Sequence, residues 1–147
     1  MEERGRVIKR KELGRKGEEV AVAFLKNQGY KIIERNYRCQ RGEIDIVARD
    51  KEGIAFIEVK TRKSLKYGLP EEAISFYKRK HLVKAGLNYL HHYRLREINA
   101  RFDVVSILME REKEEPQQDE ELRRVLIHFL KMGYQLDAQA FHCLLYT

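Results

Sequence analysis

The stretch Gly42 to Lys60, GEIDIVARDKEGIAFIEVK, sets two carboxylates and an amine at spacings that can do chemistry. Glu58 and Lys60 are two residues apart, so in an extended chain they share one face, about 6.6 Å from each other. If Asp50 to Gly53 form a four-residue hairpin loop, Arg49 faces Ile54, Val47 faces Phe56, Asp45 faces Glu58 and Glu43 faces Lys60. The Cβ atoms of Asp45 and Glu58 then lie about 4.5–5.5 Å apart. Opposed carboxylates repel, and a hard divalent cation such as Mg²⁺ or Mn²⁺ relieves that repulsion. Such an ion takes one or two carboxylates, several waters and a substrate phosphate oxygen. With Lys60 beside it, this set suits hydrolysis of a phosphodiester. The plain alternative is a surface ion pair, with Glu43 and Asp45 as outward alternates. Val47 and Phe56 on the same face argue against open solvent.

The opposite face of this hairpin is apolar, with Ile44 against Val59, Ile46 against Ile57 and Ala48 against Ala55. A slip of one residue would turn that set outward, so the pattern pins the register. Around it, LGRKGEEVAVAFLKNQG (13–29) reads as a helix with Leu13, Val20, Phe24 and Leu25 on its apolar face and Gly29 as its stop. YKIIERN (30–36) reads as a strand. Pro70 opens a second helix that runs to Tyr93, with Glu71 and Glu72 in its first turn. Its buried residues are Ile74, Leu82, Ala85, Tyr89 and Leu90. RFDVVSILM (101–109) reads as a further strand. This order gives an α/β layer with a mixed sheet. The acidic segment 110–121 reads as an exposed loop or linker. LRRVLIHFL (122–130) supplies one more short strand or helix, and the chain beyond shows no clear period.

The chain has 147 residues with a net charge of +7, enough for one domain and a tail. Residues 1–41 hold twelve basic against six acidic side chains, 42–59 two against five, and 60–101 eleven against three. An acidic island thus lies between two basic blocks that would attract a polyanion, as an ordinary solvated basic surface also would. No apolar run approaches the roughly 18 residues of a membrane helix, and the charged N-terminus lacks a secretory pattern. The expected setting is the cytoplasm, with no membrane partner. Cys39 and Cys143 lack zinc-site spacing, and the five histidines show no ligand spacing.

GEIDIVARDKEGIAFIEVKTR, with GRKGEEVAVAFLKNQGY upstream and RFDVV downstream, resembles the YraN family of bacterial proteins. That family is related to archaeal Holliday junction resolvases and to the PD-(D/E)xK restriction-endonuclease-like superfamily. The likeness runs from about Leu13 to Met109. It implies a restriction-endonuclease-like core, a central mixed sheet flanked by helices. It implies Mg²⁺ or Mn²⁺ held by Asp45 and Glu58, water activation near Lys60 and a supporting role for a helical glutamate. Counting back from Tyr30 puts that glutamate at Glu18, with Glu19 the competing choice. Arg41, Gly42, Glu43, Thr61, Arg62 and Lys78 also match the YraN pattern. Of the basic positions, Arg41, Arg62, Lys63, Lys66 and Lys78 are the expected nucleic-acid contacts. Resolvases of this kind work as two-fold dimers, so a homodimer is implied by analogy. The acidic insertion and long C-terminal segment depart from the family.

The expected organisation is a basic N-terminal arm (1–12), an endonuclease-like domain (13–129) and a tail (130–147). The expected function is a metal-dependent endonuclease acting on DNA, at branched or otherwise structured sites. Two other classes compete. One is a non-catalytic nucleic-acid-binding module on a nuclease fold, whose mark would be loss of Asp45, Glu58 or Lys60. The other is an adaptor that uses the acidic 110–121 segment. Titration of Mg²⁺ or Mn²⁺ with a DNA panel separates the first two, and deletion of 110–121 tests the third.

Overall fold

Asp50 closes the hairpin that the alternation predicts. Its side-chain oxygen accepts the amide N–H groups of Glu52 and Gly53, and its own N–H donates to the Gly53 carbonyl. Gly53 sits at φ +144°, and a Cβ there would collide with the Asn99 carbonyl, so only glycine fits the approach. From that loop, β2 (Gly42–Arg49) and β3 (Ile54–Arg62) pair antiparallel. Their register is the expected one: Arg49 with Ile54, Ala48 with Ala55, Val47 with Phe56 and Ile46 with Ile57.

The structure is a computed structural model that describes residues 2–63, 76–111 and 123–131. α1 (Glu2–Asn27), β1 (Lys31–Cys39), α2 (Phe76–His92), β4 (Ala100–Arg111) and β5 (Arg123–Lys131) complete the elements. The sheet order is β1-β2-β3-β4-β5, with β3 and β4 parallel and the other pairs antiparallel. The parallel pair needs a crossover, and the connection from β3 to β4 carries α2. The result is an α/β fold with a central mixed sheet flanked by helices, consistent with a restriction-endonuclease-like core.

Each helix covers one face. Ala21, Val22 and Leu25 of α1 bury Ile46, Ala48, Ala55, Ile57, Val105 and Ile107. Leu82, Ala85, Tyr89 and Leu90 of α2 bury Val47, Ile54, Phe56 and Phe102. The hairpin face that carries Val47 and Phe56 is therefore core as well. α1 ends in a Schellman arrangement: Gly29 adopts φ +90°, Tyr30 N–H donates to the Leu25 carbonyl and Gly29 N–H to the Lys26 carbonyl.

Several expectations shift. The first helix begins at Glu2 rather than Leu13, so the basic arm is its first turns. β1 runs on to Cys39, three residues past the expected end. Ile44 leaves the apolar face assigned to it and packs with Val47 on the α2 side. The cause is local. The β2–β3 ladder stops at Ile46 and Ile57, and opposite it in β1 Asn36 takes a left-handed φ of 53°, so the alternation of faces breaks there. The segment 122–130 contributes a strand that reaches Lys131, two residues into the expected tail. Positions 110 and 111, read as the start of the acidic loop, are instead the last two of β4. Pro70, Glu71, Glu72, Ile74, the 112–121 part of the acidic segment, Leu122 and the tail after Lys131 lie outside the described residues.

Candidate functional site

Where the β2–β3 ladder ends, the strands part and polar groups fill the gap. Asp45 turns into it, and its Oδ2 accepts the Val59 N–H at 2.8 Å, in place of a strand-to-strand bond. Glu58 enters from β3 and is 5% exposed. The two carboxyls meet, as the register arithmetic requires. Burial first and Glu58 second push the Asp45 carboxyl up to about 7; Glu18 adds to the rise and the Val59 bond opposes it.

Two amines answer the buried charge of Glu58. Lys60 Nζ lies 3.3 Å from Glu58 Oε1, and Lys78, reaching down from the first turn of α2, makes an ion pair with the same oxygen. Burial, with the neighbouring Lys78, lowers the Lys60 amine from its ordinary value, while Glu58 opposes the fall. Lys78 moves the other way, because its bond to Glu58 and its neighbours outweigh the burial that would lower it.

α1 supplies the fourth element. Gly17 lies so close to β3 that a Cβ would strike the Thr61 hydroxyl, and this contact fixes the rotation of the helix. One residue on, Glu18 points into the site. Asn36 Nδ2 lies 3.5 Å from its Oε2, with Arg35 at 3.9 Å. Glu19, the competing choice, points away and binds Arg35 at 2.9 Å.

These groups line one open cleft of about 840 Å³, which holds four carboxylates and six basic side chains. Glu18, Glu43, Asp45 and Glu58 are the carboxylates. Lys60, Arg62, Lys63 and Lys78 were expected there; Lys9 and Arg10 of α1 were not. The signal for them was available in the sequence: Arg10, Leu13, Gly14, Gly17 and Glu18 follow the spacing of one helix face. Arg41 stays outside this lining. It is exposed in the β1–β2 turn, where its carbonyl pairs with His81 Nδ1 at 3.1 Å. Lys66 lies outside the described residues.

A divalent cation would rest on Asp45 and Glu58. The donor set fits: two converging carboxylates, one of them forced toward protonation by burial and by the other, favour an added positive charge. Among the described residues no group of three or more His, Cys, Asp or Glu forms a ready-made metal cage. The ion would have to complete its shell with water and phosphate oxygen, as Mg²⁺ does.

A second charged cluster marks the other end of the hairpin. Arg101 is 8% exposed. It bonds both oxygens of Asp50, at 2.6 and 3.3 Å, Asp103 at 3.0 Å and the Tyr30 hydroxyl at 2.9 Å. Sequence reasoning missed it, since its members lie up to 73 positions apart in the chain. Its bond to Arg101 holds the Asp50 carboxyl down at about 2, and the Glu52 and Gly53 amides assist.

Comparison with known proteins places the fold and this cleft in context. The model of an uncharacterised protein family, UPF0102, matches residues 17–107. A UPF0102 protein of Geobacter metallireducens is 53% identical over 97 residues, 66% of this chain and 80% of its own. One of Caldicellulosiruptor saccharolyticus is 46% identical over 102 residues, covering 69% and 86%. One of Syntrophus aciditrophicus is 50% identical over 99 residues, covering 67% and 78%. The matched segment includes Glu18, Asp45, Glu58, Lys60 and Lys78, and begins after Lys9 and Arg10. Among the described residues no helix is long and apolar enough to cross a membrane.

Proposed function

The chain belongs to the uncharacterised protein family UPF0102, and from its cleft we propose that it is a metal-dependent endonuclease that hydrolyses DNA phosphodiester bonds. The observation that carries this reading is the meeting of Asp45 and Glu58 beside Lys60 in a cleft rimmed by basic side chains. Mg²⁺ or Mn²⁺, held by Asp45 and Glu58, would neutralise phosphate charge and lower the pKa of a bound water. Lys60, its amine eased toward the neutral form by burial, takes a proton from the attacking water or steadies charge on the phosphoryl oxygen. Lys78 keeps Glu58 oriented. Arg62 and Lys63 take neighbouring phosphates. Glu18 lends negative charge on the α1 side. Branched or structured DNA is the proposed substrate and a two-fold dimer the proposed assembly, both by the resolvase likeness. The cytoplasm is the proposed setting.

One observation favours a second reading, a nucleic-acid-binding module that does not cut. Lys60 and Lys78 already balance Glu58, so the site is not left with an unpaired Glu58 charge. A panel of duplex, single-stranded, flap and four-way-junction DNA, incubated in Mg²⁺, Mn²⁺ or EDTA, decides between them. Cleavage in metal and none in EDTA supports the nuclease. Binding to the panel without cleavage in either metal supports the module.

A further inference from the structure

The family match starts at residue 17, yet α1 starts fifteen residues earlier. This leading stretch gets little from the core. Its described residues before Leu13 are all exposed, and at about 1.5 Å per residue the ten positions from Glu3 to Glu12 extend about 15 Å past the packed turns. It is helical by continuation from the turns that Gly17 seats on Thr61.

Its position is specific. Lys9 and Arg10 line the same cleft as the carboxylate pair, while Arg62 and Lys63 line it from the end of β3. The next turn toward Glu18 carries Leu13 and Gly14, and a Cβ at Gly14 would meet nothing within 4 Å. The wall is thus open at Gly14. Four carboxylates and six basic side chains thus line one cleft, the basic ones drawn from the start of α1, the end of β3 and α2. Cations spread over several elements around carboxylates suit a polyanion whose phosphates are gripped at more than one point, since a small anion would be repelled by the carboxylates and would need only one cation.

We infer that the first turns of α1 form the second wall of a nucleic-acid groove, with Lys9 and Arg10 binding backbone phosphates across the cleft from Arg62 and Lys63. This rests on the nuclease reading for what lies between the walls. It goes beyond it by assigning substrate grip to a segment that precedes the family match.

The test uses the full chain in EDTA, with labelled duplex and four-way-junction DNA followed by fluorescence anisotropy from 50 to 200 mM salt. Lys9→Gln/Arg10→Gln keeps helix propensity and touches no core. The slope of log affinity against log salt falls by about one per residue, about two in all. The loss of affinity across that salt range is then about tenfold shallower than in the wild type. Lys51→Ala/Arg96→Ala removes the same charge from exposed loop positions outside the cleft lining and leaves the slope nearer the wild-type value. In Mg²⁺ the Gln pair raises KM with kcat kept. A wild-type slope in the Gln pair, or an equal fall in the Lys51/Arg96 control, overturns the inference even if the wild type cuts DNA. A wild type that cuts nothing, with the slope still lost in the Gln pair alone, upholds the groove and removes the nuclease.

Discussion

The β2–β3 hairpin is charged at both ends, and the two ends are built on opposite principles. At the closed end, Arg101 donates to Asp50, Asp103 and Tyr30, and Asp50 is held ionised down to about 2. The carboxylates there sit beside an opposite charge, which is what a structural clasp needs. At the open end, Asp45 is driven up to about 7 by burial and a second carboxylate. Two lysines crowd one oxygen of Glu58. Groups that stability alone would separate are kept together, and strain of that kind marks sites where charge is to be met by something that arrives.

Substitutions should sort the two ends cleanly. On the proposed function, Asp45→Asn or Glu58→Gln should cut metal-dependent cleavage by about a thousandfold, since either removes an oxygen that would hold the cation and be worth several kcal/mol in the transition state. DNA binding should persist or tighten, because a charge that repels phosphate is gone. Cleavage assays beside anisotropy check this. Arg101→Ala should do the reverse. It strands Asp103, whose side chain is fully buried, and should cost about 3–5 kcal/mol in a urea titration while folded molecules keep their activity.

The acid and base behaviour of the ends should differ in sign. Asp45 has a folded pKa near 7, above its unfolded value near 4, so the native state holds the extra proton between them. In EDTA its contribution is present below pH 4 and is lost as pH rises through 7. Asp50 has a folded pKa near 2, below its unfolded value. Its contribution is present above pH 4 and fades as pH falls toward 2. Thermal melts across pH should therefore show Asp45→Asn gaining on the wild type from pH 5 to 8, and Asp50→Asn losing most of its deficit below pH 3. The smallest effect sharpens the comparison on α1. Gly14→Ala, which meets nothing, should stabilise the helix by about 1 kcal/mol, whereas Gly17→Ala, which meets Thr61, should destabilise the fold.

What could be read in the sequence follows the range of the forces involved. The hairpin was legible because alternation and the Asp50–Gly53 loop are local. Asp45 opposite Glu58 followed from that arithmetic. The swing of Ile44 to the other face was not legible, because it depends on where the ladder stops and on Asn36 turning left-handed in a neighbouring strand. Nor was the choice between Glu18 and Glu19, which differ by about 100° around α1 and are separated only by the seat of Gly17 on Thr61. The early start of α1 was hidden because its first turns have no apolar stripe to betray a period. Arg101 joins Tyr30 and Asp50 from two distant segments, which no short-range pattern announces.

The central claim is that the open end of the hairpin is a cation site. Titration of Mn²⁺ into the full chain, with free ion followed by its electron paramagnetic resonance in the presence of duplex DNA, tests it directly. One ion bound per wild-type chain, and none in Asp45→Asn, is the predicted result. Equal binding in both proteins, or no binding in the wild type, would contradict it.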